Sequence, residues 1–251
     1  KKGSCEYQDL KYPDDCIVDF DMRLIDLFKE MDKKKLTLKM QIRQEYYRVK
    51  ELLDGKRPSR MDLFTYMDDD IYRICVSGSH AKENPFQHYL DFLYELGELS
   101  EEEQELYAGI GREFIQTIET TEMQKVYKMP ILYSFYNHGN IRLAVTDEEV
   151  LESWKEFFDT GTNWKDFPNV NTYEDYKKVT DKQHMSKAKR MPITRLKMSG
   201  KGFFAEKDGY ALALRDEIGD VVGNMAFGEQ MGDVLGYRSL EYYRRRYEKK
   251  N

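Results

Sequence analysis

Apolar residues gather most densely over residues 129–136, where only Pro130 and Ser134 interrupt the run. Proline is tolerated in the first turn of a helix, where its missing N–H costs nothing, and Asn137, His138 and Gly139 supply a stop. The pattern predicts a helix that is apolar on nearly every face and therefore lies in a core. Beyond it Ile141, Leu143 and Val145 alternate with Asn140, Arg142 and Ala144, the period of a half-buried strand. Thr146 and Glu149 then form a capping box, and Val150, Leu151, Trp154, Phe157 and Phe158 fall on one face of the helix it opens. Helix, strand and helix follow with almost no linker, and the rest of the chain is expected to build on residues 124–158.

The same periodicities read along the whole chain. Residues 1–19 read as an extended entry, after which Asp19 or Asp21 is placed to cap a helix carrying Phe20, Leu24, Leu27, Phe28 and Met31. Ile42, Tyr46, Val49 and Leu53 predict a helix ended by Gly55, and Ser59 with Asp62 starts a shorter one. Asp68, Asp69 and Asp70 read as a loop or cap, since consecutive side chains do not converge on one ion. IYRICVSG reads as a short strand. Asn84 and Pro85 predict a helix start, with Phe86, Leu90, Leu93 and Tyr94 inward and Gly97 as its end. Ser100 with Glu103 opens another, running along Leu106, Ile110, Phe114 and Ile118. Residues 159–171 are loop-like around Trp164, and Thr172 with Asp175 starts a helix that enters a basic stretch. Residues 202–214 predict a β-hairpin turning at Asp208 and Gly209, and residues 217–251 a helical end broken near Gly228, Gly232 and Gly236.

Together these elements predict a mainly helical α+β fold. Its N-terminal lobe, residues 1–122, holds a helix-turn-helix candidate. Its C-terminal lobe, residues 123–251, is expected to be winged-helix-like, because the helix–strand–helix unit resembles half of a winged helix and a hairpin follows it.

Charge changes the picture less by its sum, −6 with a pI near 5.5, than by its distribution. Residues 91–122 hold ten acidic residues against Arg112 alone, whereas residues 176–201 hold nine basic residues against Asp181 alone. Two solvated faces of opposite sign, facing each other, are one reading. Cys5, Cys16 and Cys75 are odd in number and form no CxxC pair, which argues against a disulfide framework and a zinc site and fits a reducing cytoplasm. The chain starts at Lys1 within a charged stretch, so a fragment of a longer protein without a signal peptide is expected. No run approaches the roughly 18 apolar residues of a membrane-spanning helix, so no membrane partner is expected.

Two basic groups are candidates for DNA contact. Lys56, Arg57 and Arg60 sit at the turn of the helix-turn-helix candidate, where side chains and free N–H groups can meet a phosphate. Lys187, Lys189, Arg190, Arg195 and Lys197 form a continuous positive face in the basic stretch, the stronger candidate. Arg244 to Arg246 are placed to touch phosphate or to serve the helix dipole. Insertion of the central unit through its second helix is disfavoured, because Asp147, Glu148, Glu149, Glu152 and Glu156 oppose Lys155 alone; any DNA reader is expected elsewhere. No GxxxxGK[ST], GxSxG or HExxH motif occurs, and His80, His88, His138 and His184 are scattered. Glu206, Lys207 and Asp208 lie at the expected hairpin turn, where exposed charges are ordinary. A cryptic metal-dependent nuclease would need carboxylates that meet only in three dimensions.

The stretches CIVDFDMRLIDLFKEM, EYYRVKELLDGKRPSRMDLFTYM, VYKMPILYSFYNHG and YRSLEYYRRRY resemble, in this order, the region following the motor in bacterial superfamily-two DEAD/DEAH-type helicases related to the Res subunits of restriction systems. The resemblance implies a non-catalytic DNA-engaging or regulatory module following an ATP-dependent motor, with no cofactor, metal or catalytic residue of its own. Its implied partners are DNA and the motor domains of a parent chain, a helicase or restriction subunit. A protein-interaction module is the alternative, with acidic residues 91–122 docking the motor or a partner subunit.

Overall fold

The computed structural model describes residues 36–248; the predicted helix ending near Met31 lies outside the described residues. Among the described residues the chain is mainly helical, with one three-stranded antiparallel sheet.

The N-terminal part comprises α1 (Leu38–Leu52), α2 (Arg60–Tyr66), α3 (Asp69–Cys75) and α4 (Tyr89–Leu96). Ile42, Tyr46 and Val49 bury one face of α1, and Ser59 and Asp62 complete the expected capping box on α2. Asp68 accepts from the Asp70 and Ile71 amides and so caps α3, which replaces the strand expected from IYRICVSG. Its β-branched residues favour a strand, but Ile71, Tyr72 and Cys75 share one buried helical face, and tertiary packing outweighs propensity. The helix expected at Asn84 starts later, at Tyr89. Asn84 spends its side chain on the Phe86 amide, and Glu119, thirty residues on, accepts from the Tyr89 amide. Tyr94, expected inward, is 59% exposed. Gly97 ends α4 at φ 70°.

Next come α5 (Glu101–Ala108), opened by the Ser100–Glu103 capping box, and α6 (Ile110–Thr120), which Gly109 separates from it. The apolar helix α7 (Lys128–Tyr136) is buried on nearly all sides and stops where Asn137 and His138 enter the left-handed region. The strand β1 (Ala144–Val145) is shorter than its alternating pattern. The Thr146–Glu149 box then starts α8 (Asp147–Asp159), and Val150, Trp154, Phe157 and Phe158 bury its inner face. After α9 (Tyr173–Lys177) come α10 (Asp181–Ala188), a π-helical turn at Lys189–Ile193 and α11 (Thr194–Ser199). The hairpin follows as β2 (Phe204–Ala205) and β3 (Leu212–Leu214), with Phe204 opposite Leu214 and Ala205 opposite Ala213. It turns at Asp208 and Gly209, where Gly209 takes φ 81° and the Tyr210 amide donates to the Lys207 carbonyl. Because β3 also pairs with β1, the strand order is β1-β3-β2.

The last element, α12 (Met225–Glu248), is one unbroken helix of 24 residues, not the interrupted segment its glycines suggest. Gly232 is a packing residue: a Cβ there would stand 2.6 Å from the Tyr136 hydroxyl, so a side chain would have to push the Tyr136 ring aside where α12 crosses α7. Two cores result. The smaller collects Ile42, Tyr46, Val49, Leu63, Phe86 and Tyr89. The larger collects α7, α8 and the hairpin, together with Leu106, Phe114 and Ile118 from the acidic helices. The helix α12 supplies Tyr237 to the first and Phe227, Met231 and Leu235 to the second.

Candidate nucleic-acid interface

The two basic groups singled out in the sequence have different fates. At the α1–α2 turn, Arg60 is wholly buried. Its Nε and Nη2 donate to Glu119 Oε1 at 3.0 and 2.5 Å, and its Nη1 donates to Asp233 Oδ2 at 2.8 Å and to Gln230 Oε1 at 2.7 Å. Burial opposes its charge, but Glu119 and Asp233 outweigh it and raise its pKa above the ordinary arginine value. The free amides of the α2 N-terminus are also taken, since those of Arg60 and Met61 donate to the Asp233 carboxylate at 3.0 and 3.2 Å. The anion expected at this helix start is therefore an internal one, delivered by α12. Arg57 closes a fork on Glu103, with Nη2 donating to Oε1 at 2.8 Å. Burial pushes the Glu103 carboxyl up, but Arg57, the Ser100 amide and Gln230 together hold it below the usual carboxylate range. Arg60 is thus withdrawn from any phosphate and Arg57 is spent on Glu103, while Lys56 alone of the three is exposed without a carboxylate partner among the described residues.

Half of the ten carboxylates of the acidic segment are paired in the same way, while Glu101, Glu102, Glu105, Glu113 and Glu122 are exposed without a cationic partner among the described residues. Asp91 binds Arg112, Glu95 binds Lys39 and Glu98 binds Lys50, in addition to Glu103 and Glu119. Among the described residues no ion pair joins it to the basic stretch, so the two oppositely charged segments do not neutralise each other. The terminal arginines are also occupied: Arg244 reaches Asp69 and lies over the Tyr72 ring, Arg245 reaches Glu241 and Arg246 reaches Asp166.

The basic stretch is different. The Thr180–Gln183 capping box starts α10, and its inner face buries His184 and Ala188. Pro192 has no N–H to return to the Ala188 carbonyl, so the ladder widens into the π-helical turn, and the Thr194 hydroxyl donates to the Lys189 carbonyl at 3.2 Å. Ile193, at the end of that turn, and Leu196, on α11, then point inward again. The expected continuous face is interrupted. Lys189 is paired with Asp147 at the start of α8 and Lys197 with Glu206 of the hairpin, and Asp147, Lys189 and Lys197 line a recess of about 490 Å³ with Tyr210. Lys182, Arg190 and Arg195 remain exposed and Lys187 half-buried, all without a carboxylate partner among the described residues.

Lys182, Lys187 and Arg190 also line a recess of about 560 Å³ with Phe167, Asn169, Val179 and the Lys178–Asp175 pair, whose charged atoms stand 3.5 Å apart. Lys187 Nζ lies 4.9 Å from the centre of the Tyr127 ring. Its pKa is lowered by burial and by the positive charges of Arg190 and Lys125. An anion in such a cluster offsets the mutual repulsion of its cations. Among the described residues no group of three or more His, Cys, Asp or Glu side chains is placed to hold a metal ion. No described helix is long and apolar enough to cross a membrane.

Sequence reasoning missed Lys182, which the run of lysines offered, and it missed the whole set of internal partners of Arg57 and Arg60. No protein-family model, curated protein or solved structure matches this chain.

Proposed function

We propose that residues 123–248 form a winged-helix-like unit that holds the nucleic-acid backbone through α10, the π-helical turn and α11. The observation that carries this reading is the outward cluster of Lys182, Lys187 and Arg190, left uncompensated where every arginine at the α1–α2 turn has been paired. The order of elements supports it: α7, β1, α8, then α10–α11, then a hairpin that returns to β1 through β3. In that order the helix before the hairpin is α10–α11, so the groove-facing element is the basic one and not the acidic α8. The side chains of Lys182, Lys187, Arg190 and Arg195 are fixed by no hydrogen bond among the described residues, so none is held in place to read a base edge. Backbone contact therefore dominates over base readout.

The chain acts in this reading as a non-catalytic module that works with an ATP-dependent motor, the role the helicase resemblance implies. Anisotropy titration against single-stranded and duplex DNA at two salt concentrations tests it. Binding that weakens steeply with salt is expected, because each neutralised phosphate releases counterions. Absence of binding at low salt overturns it.

A further inference from the structure

A second concave site lies away from the basic recess, between α7, α8 and α12. Its volume is about 550 Å³, within the roughly 300–1,000 Å³ typical of ligand pockets. Tyr133, Tyr136 and Phe157 form its aromatic wall, with ring centroids 6.2 and 6.0 Å from Tyr133. Its rim is acidic. Glu149 is neutralised by Arg142 at 3.0 Å and by its capping role, but Glu152 is exposed with no cationic partner among the described residues. Among the described residues Glu156 meets His138 alone, at 3.7 Å, a pair that is charged only when the imidazole is protonated. The site therefore presents two negative charges above π faces, complementary to a cation that stacks as well as pairs.

The apolar surface also runs out of the groove. Gly236, Leu240, Tyr243 and Tyr247 recur at helical spacing along α12, with Leu240 46% and Tyr247 43% exposed, and the Tyr243 hydroxyl is buried without a hydrogen-bond partner. A stripe that continues past the cavity suits an extended chain better than a free small molecule.

We propose that this groove receives an arginine side chain carried on a short apolar segment of a partner protein. The guanidinium lies against the rings of Tyr133 and Tyr136 beneath Glu152 and Glu156, and the flanking apolar residues lie on Phe157 and Leu240. The site shares no residue with the basic recess, so it operates whether or not that recess holds nucleic acid.

The test is calorimetric titration of the whole chain with the acetylated, amidated peptide Leu-Arg-Leu and with its citrulline counterpart, which keeps the shape and removes the charge. The arginine peptide is expected to bind at least tenfold more tightly. Glu152→Gln with Glu156→Gln abolishes that difference, and Leu240→Ser weakens both peptides alike while leaving the ratio intact. N-acetylarginine amide binding as tightly as the peptide overturns the partner-segment assignment. Equal binding of the two peptides, or binding of neither, overturns the cation site itself. DNA affinity is expected to be unchanged in the Glu152→Gln and Glu156→Gln variant, which separates failure here from failure of the nucleic-acid reading.

Discussion

The α1–α2 turn and the α10–α11 stretch look alike in sequence, each a short run of lysines and arginines beside a helix terminus, and the fold treats them in opposite ways. At the turn, α12 and α6 bring Asp233 and Glu119 onto Arg60, and α5 brings Glu103 onto Arg57. At α10–α11, Asp147 and Glu206 reach Lys189 and Lys197, and Asp175, at the edge of the basic recess, pairs with Lys178, which leaves Lys182, Lys187 and Arg190 without a carboxylate partner among the described residues. A basic residue becomes part of a staple or part of a surface according to which distant acids the topology delivers. Its local sequence does not decide this. The staple joins the two cores, and the surface faces outward.

The sharpest way to break this contrast is at the staple. Arg60→Met leaves Glu119 and Asp233 facing each other without their cation. Removing one partner of a buried ion pair costs about 3–5 kcal/mol, so a large fall in the urea midpoint is expected. A midpoint near that of the parent chain would mean that Arg60 is not holding the cores together. Gly232→Ala probes the same junction sterically: its Cβ meets the Tyr136 ring and hydroxyl, and overpacking of about 1–3 kcal/mol should appear in thermal unfolding.

On the other side of the contrast, Lys187→Gln with Arg190→Gln is expected to weaken DNA binding at least tenfold, about 1.4 kcal/mol, in anisotropy titrations. Stability should stay within about 0.5 kcal/mol, as for surface positions in general. The smallest effect concerns His184, which lies 5.0 Å from the Phe167 ring centroid and 5.6 Å from that of Tyr176. Burial, aided by Lys155, lowers its pKa below the ordinary 6.5, so the unfolded chain takes up a proton that the folded chain refuses. The stability it contributes is complete above pH 6.5 and declines as pH falls below that value. His184→Phe should flatten this decline in chemical denaturation measured from pH 7 to pH 5.

Much of this architecture is visible in short-range chemistry. The capping boxes at Ser59, Ser100 and Thr146, the stops at Gly97 and Asn137, the buried run over 129–136 and the hairpin at Asp208 and Gly209 each depend on residues within a few positions of one another. What escapes that reading depends on distance. The strand-like IYRICVSG becomes α3 because Ile71, Tyr72 and Cys75 are needed on one side of the smaller core. The start of α4 moves to Tyr89 because Glu119 caps it. Gly232 reads as a helix breaker, yet it is the gap that admits Tyr136. For the candidate interface, the basic stretch is legible from composition, but the loss of Lys189 and Lys197 to Asp147 and Glu206 is not. Still less so is the burial of Arg60, whose partner Asp233 lies 173 residues away.

The central claim is that nucleic acid meets α10–α11 and not the α1–α2 turn. The most direct test compares the salt dependence of DNA binding for the parent chain, for Lys187→Gln with Arg190→Gln, and for Lys56→Gln. Lys56 is the one residue of the turn group left exposed without a carboxylate partner among the described residues. The slope of log affinity against log salt should shrink by about 0.9 for each duplex phosphate that the α10 variant no longer neutralises, and stay unchanged in Lys56→Gln. A slope that falls in Lys56→Gln and holds in the α10 variant would contradict the account.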